Sequence, residues 1–411
     1  MGRLVAGAPL TTWWPVGTAL LVLGLLALVA AVRARRLPRV LLGLLAVVGL
    51  VTSAAAGVNA HFGYVRTVGE ALGADPPGET SLSRARIQAR EGARRGRGTV
   101  VALPIAGTRS GFAARPAQVY LPPAWSAPRQ APLPVVLLLH GTPGDPTDWV
   151  EGGRAGATAD AWAARHGGVA PVLVMPDING TLTGDTECVD SPLGAAETYL
   201  TVDVPAAVGR ELGTAAPGPT WAVAGLSEGG SCAIMLALRH PGLFGSFGDF
   251  SGLAGPRVGE TNDDTADTVA QLFGGSPQEF AAHEPADLLA RGRFPRTGGW
   301  FQVGGNDAEP LAAVRRLAPL AVAAGVTTCV VVVPGGEHTF DVWSAAFRES
   351  LPWFAQRAGL VPATPAAACP PPDPPGPAPT GPAPTGPAPT GPAPTGPAPT
   401  GAASTGTAPT G

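Results

Sequence analysis

Residues 221–231 read Trp221-Ala222-Val223-Ala224-Gly225-Leu226-Ser227-Glu228-Gly229-Gly230-Ser231, and the chain continues as Cys232-Ala233-Ile234-Met235-Leu236-Ala237-Leu238. A short apolar run, a Gly-x-Ser-x-Gly turn and a second apolar run predict strand, sharp turn and helix. Such a turn lifts the Ser227 hydroxyl clear of a sheet, and Gly225 and Gly229 leave room for close backbone approach. Ser227 is the candidate nucleophile.

Working outward, apolar runs of strand length lie at Val135–Leu139, Val172–Met175, Trp221–Ala224, Gly299–Val303 and Thr328–Val333, between helix-like segments at 157–166, 197–212, 230–240, 309–324 and 341–357. Nearly continuous apolar strands alternating with helices predict an α/β fold, a mostly parallel sheet covered on both faces. Two earlier runs, Val100–Pro104 and Ala117–Leu121, open the sheet as antiparallel strands. The charged stretch 255–298, with short helical pieces at 266–273 and 277–290, breaks the rhythm and reads as a lid or pocket wall, or as a purely structural insertion.

An oxygen nucleophile needs a base, an acid that orients the base, and donors for the oxyanion; on a strand–turn–helix elbow the chain order is Ser, acid, His. Of the six histidines, His61, His140 and His166 precede Ser227, His240 ends the following helix and His283 falls in the excursion. His338, in the loop after Thr328–Val333, is left as the base. Asp307, after Val303-Gly304-Gly305-Asn306, is the expected acid, with Glu309 as runner-up and Asp249 as a weaker candidate. His140-Gly141-Thr142-Pro143-Gly144 follows Val135–Leu139 directly, the place from which one oxyanion N–H is donated. Pro143 has no N–H, so the backbones of Thr142 and Glu228 are the expected pair.

These motifs, with Leu238-Arg239-His240-Pro241-Gly242-Leu243-Phe244 and Pro334-Gly335-Gly336-Glu337-His338, resemble the α/β-hydrolase "putative esterase" family, which includes S-formylglutathione hydrolases, feruloyl esterases and mycolyltransferases. The resemblance covers about residues 98–360 and implies acyl transfer through a serine ester. It leaves the acceptor open: water gives an esterase, a sugar hydroxyl a mycolyltransferase-like enzyme. Many relatives carry Met after the serine. Here Glu228 stands there, and its carboxylate would oppose an oxyanion if it pointed inward.

The ends of the chain are of a different kind. Residues 1–66 form an N-terminal membrane region: the uncharged run 17–32 and a second apolar run near 40–58 each approach the roughly 20 residues that span a bilayer, so the pair predicts a transmembrane hairpin. Arg33, Arg35, Arg36 and Arg39 between the runs, against Arg3 alone ahead of them, place the connection in the cytoplasm and the rest of the chain outside. His61, Phe62 and Tyr64 close the second span. A signal peptide, with Ser53-Ala54-Ala55-Ala56 as its cleavage region, is the competing reading, and it too exports the downstream chain. Residues 67–98 read as a juxtamembrane linker, 99–360 as the catalytic domain, and 361–411 as a disordered Pro/Ala/Thr/Gly tail that repeats Gly-Pro-Ala-Pro-Thr and offers contact with the cell envelope.

A net charge of −3 gives no reason to expect nucleic acid as a partner. The four cysteines lack metal-site spacing, so no metal and no organic cofactor are expected. Export permits disulfides: Cys188 with Cys232 is the expected bridge, and Cys329 with Cys369 a weaker pair. The expected function is a membrane-tethered, extracytoplasmic serine esterase or acyltransferase acting on lipid or cell-envelope esters. A serine peptidase and a catalytically silent envelope-binding scaffold are the alternatives.

Overall fold

Val135–Leu139 and Val172–Met175 are buried at every position, which requires cover on both faces of the sheet. The structure is a computed structural model and describes residues 14–33, 36–62, 82–127 and 131–362. Its main sheet has eight strands: β1 Thr99–Leu103, β2 Ala117–Leu121, β3 Val135–Leu139, β4 Val172–Met175, β5 Gly218–Leu226, β6 Phe244–Phe250, β7 Gly298–Gly304 and β8 Thr327–Val333. Their spatial order is β1-β2-β4-β3-β5-β6-β7-β8. Strand β2 pairs antiparallel with β1 and β4, and all later pairings are parallel.

Side chains alternate along each strand and so build two cores. Val135, Leu137, Val174, Val223 and Phe301 pack with Val208, Ile234, Val314 and Leu317 on one side. Val136, Leu138, Leu173, Ala224 and Trp300 pack with Trp149, Trp162, Trp343 and Phe354 on the other. The helices Ala155–Arg165, Glu228–Arg239, Ala308–Ala323 and Phe340–Arg357 supply this cover. Between Ala196 and Leu212 the helix passes through a π turn at Tyr199–Asp203, which residue periodicity does not reveal. The excursion holds the helices Thr265–Leu272, Pro277–Ala281 and Pro285–Arg291. Two of its parts are joined by a buried ion pair in which Arg257 donates to Glu284 at 2.5 and 3.1 Å.

Within 67–98, which the sequence presents as linker, residues Leu82–Arg94 form a helix. Among its described side chains the small Ala89 is the one buried in the core, and Gly98 N–H donates to Asp160 at 2.7 Å. A single alanine leaves no apolar stripe in the sequence, which is why the helix is not legible there.

Two further helices run Trp14–Arg33 and Arg36–Phe62. They approach closely at glycines: a Cβ on Gly49 would lie 3.2 Å from the Gly24 Cα. Leu23, Leu26, Leu41 and Leu44 are exposed on them. Among the described residues no helix is long and apolar enough to cross a membrane. Tyr64, Cys369 and the repeat tail lie outside the described residues, as do the side chains of His61 and Phe62.

Candidate active site

Strand β5 ends at Leu226 and the helix Glu228–Arg239 starts two residues later, so Ser227 alone makes the turn. It does so at φ 54° and ψ −125°, a strained region for a residue with a Cβ. The strain is held by close packing. A Cβ on Gly225 would fall 2.2 Å from the Gly229 carbonyl oxygen, and one on Gly229 would fall 2.4 Å from those of Leu139 and His140. Both positions of the motif therefore require glycine.

The loops after β7 and β8 bring the acid and the base together. Gly305 N–H donates to Val333 O and Asn306 N–H to Gly336 O, each at 2.8 Å, so the two loops are joined backbone to backbone. Asp307, buried, accepts from His338 Nδ1 at 2.8 Å. That fixes the proton on Nδ1 and leaves Nε2 to accept from the Ser227 hydroxyl at 2.9 Å. Trp343 meets the imidazole edge-on, with centroids 4.9 Å apart. Glu309 is engaged elsewhere: it accepts from Asn262 N–H and Nδ2 at 2.8 and 2.9 Å. Asp249 accepts from Gly252 N–H at 2.8 Å, and burial pushes its carboxyl up to about 7.

Thr142 and Glu228 both line the cavity that holds Ser227 and His338. Glu228 is the first residue of its helix, so its N–H has no carbonyl within the helix to meet. Its carboxylate is turned aside and buried, accepting from Asn179 Nδ2 at 2.7 Å and from Glu187 N–H at 3.1 Å. The same Asn179 amide donates to Thr142 Oγ1 at 2.9 Å, coupling the two donor segments. Burial, then the Asp185 charge, raises the Glu228 carboxyl to about 8. Asn179 was not foreseen as a site residue. Its signal is positional: it follows β4 in Pro176-Asp177-Ile178-Asn179, at the carboxyl edge of the sheet where loops carry function.

Three further histidines, His140, His240 and His283, pair with buried carboxylates. Buried His140 lies 3.2 Å from Asp177 and 2.8 Å from the Gly141 carbonyl. Asp177 also accepts from Arg115 at 2.6 Å; burial alone would raise its pKa, but the hydrogen bonds from His140 and Arg115 hold it well below the usual range. His240, His283 and Arg239 converge on buried Glu197 at 2.6, 3.1 and 2.7 Å.

Cys188 and Cys232 are joined by a disulfide. It ties the loop after β4 to the second turn of the helix that Ser227 launches. Glu187 and Cys188 both have positive φ, 49° and 54°, in this loop. Asp185 and Glu187 thereby come beside Glu228, with a carboxylate oxygen of each within 4.8 Å of the others. The three are the described residues whose geometry could hold a cation.

The chain belongs to the family described as "Putative esterase", whose model matches residues 113–354. An uncharacterized protein of Corynebacterium glutamicum is 37% identical over 337 residues, covering 78% of this chain and 77% of that relative. Among solved structures, a ferulic acid esterase superposes with TM-score 0.54 at 20% identity, over 64% of this chain and 99% of its own. S-formylglutathione hydrolase from Agrobacterium tumefaciens gives TM-score 0.52 at 20% identity, over 64% and 96%. The fold is that of an α/β-hydrolase of esterase or acyltransferase type.

Proposed function

We propose that the chain is a serine ester hydrolase or acyltransferase, tethered to the membrane with its catalytic domain outside the cytoplasm. The observation that carries the chemistry is the relay Ser227–His338–Asp307, with contacts of 2.9 and 2.8 Å. As Ser227 Oγ bonds to the ester carbonyl carbon, its proton passes to His338 Nε2, and Asp307 stabilises the imidazolium. The carbonyl oxygen gains negative charge opposite the Thr142 and Glu228 N–H groups. The carbon–oxygen bond to the leaving alcohol then breaks, and His338 returns the proton to that oxygen. Water or another hydroxyl repeats the sequence on the acyl-serine. The Glu228 carboxylate does not oppose this, since Asn179 and Glu187 hold it aside. A silent scaffold loses its main argument there. A fluorophosphonate probe should label the wild-type domain and leave Ser227→Ala unlabelled; an unlabelled wild type overturns the reading.

The tether rests on the helices Trp14–Arg33 and Arg36–Phe62, whose exposed leucines favour a lipid surround over water. The arginines at their junction favour a cytoplasmic turn. A reporter active only in the cytoplasm should work when fused within 33–39 and fail when fused after residue 98. The opposite pattern reverses the orientation, and activity at both sites removes the hairpin.

A further inference from the structure

The cavity around Ser227 measures about 520 Å³, and one part of its wall is carboxyl where an apolar acyl chain would need carbon. Asp185, Glu187 and Glu228 line it together, and among the described residues none of the three forms an ion pair. Arg257 lines the same cavity but is committed to Glu284 and to the carbonyls of Pro256 and Asn262. Three like charges this close and this buried resist being ionised together unless a cation joins them. The carboxyls show it: burial, then the neighbouring Glu228 and Asp185 charges, pushes Glu187 well up, and burial also raises Asp185.

A second observation is independent of the carboxyl cluster. Ser251, fully buried, also lines the cavity, and its Oγ has no hydrogen-bond partner. Within the cluster, Glu187 is 4% exposed with Oε2 unpartnered, and Asp185 Oδ1 is unpartnered as well. The wall beside the nucleophile thus holds buried acceptors short of donors, with Asp185 and Glu187 hydrogen-bonded to each other, and among its described residues no uncommitted arginine.

We infer that this cavity takes an ester whose acyl group carries a protonated amino nitrogen, held by Asp185, Glu187 and Ser251 while Ser227 attacks the carbonyl. The inference rests on the serine ester reading and names its substrate class. The amino group belongs on the acyl side for a geometric reason. The leaving oxygen must face His338, and the carbonyl oxygen must face Thr142 and Glu228. The acyl group is the substituent that stays on the carbonyl carbon beside those donors, and Asn179 links Thr142 there to the Glu228 carboxylate of the acidic wall. An ammonium also suits the number of free acceptors better than calcium does. It brings three N–H donors, whereas calcium takes about six to eight oxygens, and both Glu228 oxygens already accept hydrogen bonds. The bonds made and broken are those of the serine ester reaction; the amino group is bound and does not react.

The test compares the 4-nitrophenyl esters of alanine and of propanoic acid, which differ by the amino group, on the full chain at about pH 6, where an α-amino group is protonated. Each kcat/KM is divided by the ester's own uncatalysed rate, because an ammonium activates its own ester. The corrected ratio should favour alanine by about tenfold or more, the worth of hydrogen bonds to a charged group. It should fall toward one in Glu187→Gln and in Asp185→Asn, and EDTA should not change it. A wild-type ratio at or below one, with propanoate cleaved and Ser227 labelled by fluorophosphonate, overturns the inference and leaves the serine reading standing. If Ser227 is unlabelled and neither ester is cleaved, the serine reading itself falls. A preference that appears only with added calcium, or that survives both carboxyl substitutions, also overturns the inference.

Discussion

Ser227→Ala should lower kcat/KM for a short-chain nitrophenyl ester by on the order of 10⁶-fold, and His338→Ala should do nearly the same, because nucleophile and base act as one unit. Their effects will not add: the double variant should be no worse than either alone. Asp307→Asn is expected to cost about 10⁴-fold, since an amide NH2 turned toward Nδ1 favours the tautomer with the proton on Nε2, the nitrogen that faces Ser227 at 2.9 Å, and no longer stabilises the imidazolium. The loss should fall on kcat more than on KM, because these groups act on the reacting atoms and not on the bound ester. None of the three should unfold the domain. In Ser227→Ala a strained φ of 54° is kept by the packing of Gly225 and Gly229. Turnover at the wild-type rate in Ser227→Ala would falsify the assignment.

The parts of this site legible in the sequence are those fixed by chain order and by sheet geometry. Parallel strands all end at one edge, so residues just past β3, β5, β7 and β8 had to converge there. Thr142, Ser227, Asp307 and His338 each stand in such a position. Elimination among six histidines leads to His338 because a base must return from a late strand, and His338 Nε2 lies 2.9 Å from Ser227 Oγ. Glu309, one turn from Asp307, was separated from it only by the structure, where Asn262 engages it. What the sequence hid are contacts between segments with no shared period. The backbone bonds that join the loops at Gly305 and Gly336 leave no residue-type signature. Asn179 sits between Thr142 and Glu228 although it lies tens of residues from each. The acidic wall is assembled from Asp185 and Glu187 in one loop and Glu228 at the start of a helix. Read singly, each is an ordinary polar residue. The helix Leu82–Arg94 is hidden for another reason: among its described side chains a lone alanine reaches the core, so no apolar stripe marks it.

The disulfide predicts the largest change in stability. Cys188 and Cys232 enclose a separation of 44 residues and are both buried. In the chain-entropy account, a closed loop of that length withdraws about 4 kcal/mol of freedom from the unfolded chain. For a domain of this size, with roughly 2–4 °C per kcal/mol, the double variant Cys188→Ala/Cys232→Ala should melt about 10 °C lower. The activity should suffer too, for a local reason. Glu187 and Cys188 stand at φ 49° and 54°, which side chains with a Cβ adopt only under constraint, and the bridge supplies that constraint. Released, the loop is free to return to ordinary backbone angles, and the Glu187 N–H leaves the Glu228 carboxylate at the mouth of the oxyanion site. Reductant should therefore lower both the melting temperature and the turnover of wild type, and lower them less in the double variant. Non-reducing peptide mapping of the folded protein should recover Cys188 linked to Cys232. Alkylation of either thiol without prior reduction, or a melting temperature that the double substitution leaves in place, would show that the clamp does not hold this loop.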